Sequence, residues 1–237
     1  MLPSDLDFPR SFAILFIFAM WALYTPILST LGHGTLNAQL HVVRQRWMRM
    51  LLETGRDHRT FDAIMLGHIS NSMAFFGSAT LLVLAGLLGT LANISHLYAS
   101  VLELKFVPVI SLELFAFYFA TVTSIMAICF FSFTYALRKL SYTLALVGGI
   151  SEAPGHDTDS QIMVAQTATV MTEAVKSLNN GIRGYYFAVG ALFLFAGPYH
   201  CIFMTTVMSG ILLYRQGFST TALAIERYVD AMSKIPK

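Results

Sequence analysis

Three arginines fall within the six-residue stretch Arg44-Gln45-Arg46-Trp47-Met48-Arg49. A guanidinium holds phosphate or carboxylate through paired hydrogen bonds, and an adjoining indole adds a flat ring for stacking. Such a stretch suits a bound anion or a layer of lipid headgroups. It also suits plain topology-setting charge on an in-plane helix. A second block, Asn180-Gly181-Ile182-Arg183-Gly184-Tyr185-Tyr186-Phe187, pairs an arginine with two tyrosines, and Asn71 adds an amide able to orient a ligand. Arg44, Arg46, Trp47, Arg49, Asn71, Asn180, Arg183, Tyr185 and Tyr186 are therefore the candidate ligand or headgroup contacts. The competing reading of the same residues is an aromatic and basic belt that anchors a bundle at one interface.

Other chemistry has less to work with. There is no G-x-S-x-G turn, no H-E-x-x-H helix and no phosphate-cradling glycine loop. Asp57, His58 and Asp62 read as a charged helix end. Haem ligation needs two imidazoles at one depth on facing helices. Of His33, His68, His96 and His200, only His33 and His68 meet that condition, and both stand at helix ends. They are the two weak candidates for axial ligands; no cofactor and no metal is expected, and no catalytic residue is assigned. Cys129 and Cys201 both lie in apolar runs and read as buried free thiols, outside any disulfide or zinc pattern.

The elements that must position these groups are set by hydropathy. Hydrophobic residues make up 56 % of the 237 and charged residues 12 %, against about 25 % charged in a soluble domain. Runs of about 20 apolar residues are long enough to cross a bilayer. Four such runs predict spans at 11–31, 63–94, 107–137 and 185–214, the first a retained span and not a cleaved leader. Within 1–237 a single transmembrane domain is expected. The fold class is all-α, an integral membrane four-helix bundle with amphipathic cytoplasmic helices.

Basic charge orients the bundle. The connection 32–62 carries Arg44, Arg46, Arg49, Arg56 and Arg59; the connection 138–184 carries Arg138, Lys139, Lys176 and Arg183; the second connection offers only Lys105. Connections 32–62 and 138–184 are thus placed in the cytoplasm and both termini in the periplasm. The tail, with Arg215, Arg227, Lys234 and Lys237, pulls against that placement. Leu40, Val43, Trp47 and Met50 recur at steps of three and four, as do Val164, Ala168, Met171, Val175 and Leu178, so each series predicts one apolar helix face. Thr158 with Gln161 resembles a capping box, Asn179-Asn180-Gly181 predicts a helix stop, and 148–159, with Pro154 and Gly155, reads as a linker. Small residues at packing intervals (Ala85 and Gly89, Gly86 and Thr90, Ala74 and Ser78, Gly190 ahead of Gly197) are expected to pack within the monomer.

Asn37-Ala38-Gln39, Arg46-Trp47-Met48, Asn71-Ser72-Met73-Ala74-Phe75-Phe76-Gly77-Ser78 and the Asn180–Phe187 block resemble a family of bacterial and plant membrane proteins, catalogued as domain of unknown function 599. The resemblance spans roughly Pro9 to Ser219 and implies four spans with no assigned activity. The fourth run departs from it at His200 and Cys201.

No Asp, Glu, Lys or Arg stands at the centre of a span, which argues against a proton relay or a charged midplane transport site. The net charge of +2 gives no case for nucleic acid. The expectation is a non-enzymatic multi-pass protein of the bacterial inner membrane, an accessory subunit or homo-oligomer, with anionic lipids as partners on its cytoplasmic face. The alternative is an oligomeric channel or carrier for an anion or small metabolite; a haem-binding redox subunit comes third.

Overall fold

A long apolar run satisfies its own N–H and C=O groups best as a helix, because lipid offers them no partner. The computed structural model describes residues 3–30, 35–53, 60–103, 108–150 and 158–234, and among them it holds helices and no strand. They are α1 Phe8–Thr30, α2 Leu36–Glu53, α3 Thr60–Ala92, α4 Ile94–Leu102, α5 Leu112–Gly149 and α6 Thr158–Leu192. A 3-10 turn, Phe193–Ala196, then leads into α7, Pro198–Gly217, followed by α8, Thr220–Ser233. Residues 31 and 107, at two expected span ends, lie outside the described residues, as do His33, Arg56, Asp57, His58, Arg59, Lys105, Pro154, Gly155 and Lys237.

Among the described residues, three helices are long and apolar enough to cross a bilayer: Phe8–Leu28 within α1, Thr60–Ala92 and Leu112–Gly149. The fourth apolar run corrects the sequence expectation. It is not one rod over 185–214. α6 enters it without a break, and the helix ends at the 3-10 turn and Gly197, whose φ is +123°. Pro198 then opens α7, at the helix start where its missing N–H costs nothing. A Cβ on Gly190 would lie 2.7 Å from Thr205 Oγ1 and 3.3 Å from Thr205 Cα. In a straight helix residues 190 and 205 would stand about 22 Å apart. The run is therefore a helical hairpin. The expected stop at Asn179-Asn180-Gly181 is corrected too, since α6 passes straight through it.

The described residues gather into two compact units. The first holds Met1–Ile27, Ser78–Phe131 and Gly181–Leu213. Its core takes Ala13, Ile17, Trp21 and Tyr24 from α1, steps of four and three that form one face. Leu114, Tyr118, Ile125 and Cys129 come from α5, Phe187 and Ala191 from α6, and Cys201, Thr205 and Leu212 from α7. Trp21 stacks on Phe187 at 5.9 Å between centroids. The chain before α1 is stapled to the start of α5. Asp5 Oδ1 accepts from Ser111 Oγ at 2.6 Å, Asp5 Oδ2 accepts from Ser111 N–H at 2.9 Å, and Ser111 Oγ caps the helix by accepting from Leu114 N–H.

The small pairs of α3 in this unit do not pack within the monomer as expected. A Cβ on Gly86 or Gly89 would meet none of the described residues within 4 Å, and Ala85 is exposed. Close packing is instead made by Gly184 and Gly190.

The second unit holds Leu28–Gly77, Ser132–Asn180 and Tyr214–Lys237. Met48 and Leu51 of α2, Leu66 and Met73 of α3, Ala136 and Leu140 of α5, and Val164, Ala168, Met171 and Ala174 of α6 make one buried cluster. The α6 series read from the sequence is the stripe that is buried. On α2 the deepest residues are Met48 and Leu51, one step round from the expected stripe, whose members Val43, Trp47 and Met50 turn toward α8. α8 packs on α2, and Gln216 Oε1 accepts from Leu36 N–H at 3.1 Å.

Candidate functional site

In the second unit, α2 carries four candidate residues, and its helical spacing sends them to different surroundings. Arg44 is drawn inward. Its Nη1 donates to the Asn37 carbonyl and to Thr172 Oγ1, each at 3.2 Å. Thr172 Oγ1 donates its one proton to the Ala168 carbonyl at 2.8 Å, so it accepts from both Arg44 and His41 Nδ1, the latter at 2.9 Å. His41 thereby carries a hydrogen on Nδ1. Asn37 Nδ2 donates to the Thr172 carbonyl at 3.2 Å, tying α2 to α6 a second time. Burial pushes the Arg44 pKa down, but a guanidinium remains charged at any physiological pH.

Trp47 stands three residues on. Its Nε1 donates to Asp62 Oδ1 at 2.5 Å, which fixes α2 to the first turn of α3. Arg46 and Trp47 line a cavity of about 390 Å³ together with Val43, Met50, Tyr228, Ala231 and Met232. Among the described residues Arg46 makes no hydrogen bond or ion pair. Arg49 is exposed. Asn71 lies on the exposed side of α3 in this unit, as does His68. Asn180 Nδ2 donates to Ser132 Oγ at 3.1 Å, joining α6 to α5. Lys139 also reaches α6, with Nζ 2.9 Å from Ser177 Oγ and 3.6 Å from Glu173 Oε2.

The first unit holds the other three. The Arg183 guanidinium lies over the Tyr24 ring, 4.9 Å from its centroid, and Nη1 donates to Thr25 Oγ1 at 2.8 Å. Tyr24 donates its hydroxyl to the Leu212 carbonyl at 3.1 Å. One cation thus clamps α6 to α1, while its aromatic partner holds α7. The Tyr185 and Thr80 hydroxyls are hydrogen-bonded to each other, joining α6 to α3. Tyr186 is half-buried.

The family described as Protein of unknown function, DUF599, matches residues 8–221. The chain belongs to this family. All nine candidate residues lie inside the matched stretch. No curated protein and no solved structure matches the chain.

Sequence reasoning overlooked several residues that these geometries depend on. Thr172 joins Arg44 and His41, yet a lone threonine in a helix gives no signal by type. Tyr24 receives Arg183 from 159 positions away in sequence, and no periodicity reports such a pair. Asp62 was read as part of a charged helix end, whereas it is the acceptor for Trp47. The α5 hydroxyls of Thr121 and Thr123 donate to the carbonyls of Phe117 and Phe119 on their own helix. Of the haem candidates, His33 lies outside the described residues and His68 is exposed. Among the described residues no three His, Cys, Asp or Glu side chains cluster so as to hold a metal ion.

Proposed function

We propose that the protein is a non-enzymatic, multi-pass protein of the bacterial inner membrane that works by association, as a homo-oligomer or as the accessory subunit of a membrane complex. α3 carries this reading. At about 100° per residue, the buried or half-buried Thr80, Leu84, Leu87 and Leu91 share one side of the helix; Ser78, Leu82, Gly86 and Gly89 fall opposite, and Asn93 follows directly after the helix end. Every residue of the second set is exposed. Glycine and amide groups gain nothing from lipid tails, but small residues let a second helix approach closely, and Ser or Asn can hydrogen-bond across such a contact. The open space around Gly86 and Gly89 is the observation that favours association most.

Extraction into a mild detergent followed by native mass measurement tests it. The wild-type chain should leave the membrane with copies of itself or with partners. Gly86→Leu fills space that no described residue occupies, so it should release the monomer without unfolding it. A wild-type particle of one chain and no partner would discard the reading.

A second reading is an oligomeric channel or carrier for an anion or small metabolite, favoured by Ser78 on that same face and Asn93 directly after the helix end. Four or more such faces around an axis would line a path with hydroxyl and amide groups. Reconstituted vesicles should then pass a small anion, and Asn93→Leu should slow it.

Contacts within each unit favour a different orientation from the expected one. Asp5 binds Ser111, so the N-terminus keeps the company of the sparsely charged second connection, on the outer side. α8 packs on α2, so the C-terminal helix keeps the company of the arginine-rich first connection. We therefore assign the C-terminus to the cytoplasm, in place of the periplasm expected from an even number of spans. Arg215, Arg227, Lys234 and Lys237 then join the positive side, where the basic-residue rule wants them.

A further inference from the structure

The cavity between α2 and α8 has a chemistry of its own. Its volume of about 390 Å³ falls in the range of roughly 300–1,000 Å³ typical of small-molecule sites. Val43, Trp47 and Met50 form one wall, Tyr228 and Met232 the other, and Arg46 is the one charged residue among its lining. Trp47 has already given its N–H to Asp62, so it brings only ring surface to the cavity. Arg46 has no acceptor among the described residues. The occupant must therefore be apolar over most of its length and acidic at one end. A peptide does not fit, because its N–H and C=O groups would find a single hydroxyl and one guanidinium. A polar metabolite does not fit either, because it would leave the methionine and valine walls facing charge. An amphiphile of the bilayer fits both requirements, and three helices apolar enough to cross a membrane bring that bilayer to hand.

We propose that this groove holds one acyl chain of an anionic phospholipid, with the lipid phosphate paired to Arg46. The bidentate reach of a guanidinium suits phosphate, and the apolar walls replace the chain's contacts with neighbouring lipid tails. The proposal does not depend on association through α3. It gives Arg46 and Trp47 a shared task, and it leaves Arg44, committed to Asn37 and Thr172, to the scaffold.

The protein carries its own reporter. Trp21 and Trp47 are the two tryptophans, and Trp21→Phe keeps a ring against Phe187 while leaving Trp47 as the sole tryptophan, excited selectively at the red edge of the band where tyrosine does not absorb. The full chain is reconstituted in phosphatidylcholine vesicles containing a minority of phosphatidylglycerol. Bromine, a contact quencher, is placed on the acyl chains of the phosphatidylglycerol or on an equal mole fraction of the phosphatidylcholine. Bromines on phosphatidylglycerol should quench Trp47 as though that lipid were enriched about fivefold over its share, the ratio expected from one cation acting on one anionic headgroup. Arg46→Gln should abolish the difference, and Arg46→Lys, which keeps the charge, should retain most of it. Ala231→Phe, which fills the groove, should lower quenching from either lipid. Equal quenching by the two lipids, or a difference that survives Arg46→Gln, overturns the proposal. So does brominated dodecanoate that quenches as well in phosphatidylcholine alone, since the occupant would then be a free fatty acid.

Discussion

At Gly184 a Cβ would stand 2.2 Å from Cys129 Sγ and 2.9 Å from Trp21 Cζ2. Both neighbours are buried, so neither can retreat into solvent. Gly184→Ala should destabilise the fold by about 1–3 kcal/mol, the usual cost of forcing volume into a packed core, and thermal unfolding in detergent reads it directly. Gly86→Ala gives the opposite sign. Within a single chain it meets no described residue and gains about 0.5–1 kcal/mol of helix propensity, which unfolding of the detergent-separated monomer reads. Trp47→Phe removes the indole donor and strands Asp62; loss of a hydrogen bond to a charged group predicts about 1.5–3 kcal/mol of destabilisation. Asp5 supplies a pH dependence. The Ser111 hydroxyl, and secondarily its backbone N–H and Arg10, hold the Asp5 carboxyl below the ordinary carboxylate value. A depressed acid contributes stability that is complete above its unfolded pKa, near 3.9, and lost as pH falls through the lowered folded value. Unfolding temperature should therefore drop with acid below about pH 4, and Ser111→Ala should flatten that part of the curve.

The helices that the sequence made legible are those whose signal is local. α1 and α3 begin within three residues of the expected starts, at Phe8 and Thr60 against 11 and 63, because uncharged runs bounded by charge leave lipid-spanning helix little competition. The break in the fourth run was written at Gly197-Pro198 but masked by unbroken hydropathy, since a window average cannot see a backbone with positive φ. Gly197→Ala places a side chain in that left-handed region and should cost about 1–3 kcal/mol, measurable as a lowered unfolding midpoint. Asn179-Asn180-Gly181 erred the other way. Weak helix formers predicted a stop, but Asn180 donates to Ser132 and Gly181 is buried, and such packing outweighs propensities of under about 1 kcal/mol each. Of the candidate site, the sequence singled out cations and rings but not their partners. Arg183 meets Tyr24, and Arg44 meets Thr172, through contacts that only tertiary structure creates.

For the whole molecule, the decisive prediction is the side on which each end lies. A reporter that fluoresces only in the cytosol should light up when fused after Lys237 and stay dark when fused ahead of Met1, and a periplasmic phosphatase fusion should show the reverse pattern. A dark C-terminal fusion would contradict the packing of α8 on α2. The membrane setting itself rests on three helices long and apolar enough to cross a bilayer, and those were readable from the chain. The number of crossings was not, because counting apolar runs treats a hairpin and a rod alike.

α5 is a single helix of 38 residues, about 57 Å at 1.5 Å per residue, against a hydrocarbon layer of about 30 Å. Arg138 and Lys139 stand where the apolar stretch gives out, and Lys139 is held by Ser177 and Glu173. Beyond them the same rod continues to Gly149, a lever arm of about 15 Å. A thicker or thinner bilayer alters the tilt of a spanning helix before anything else. A change in lipid thickness that tilts this helix is therefore expected to load the packed cluster that its Leu140 shares with Met48 of α2 and Val164 of α6.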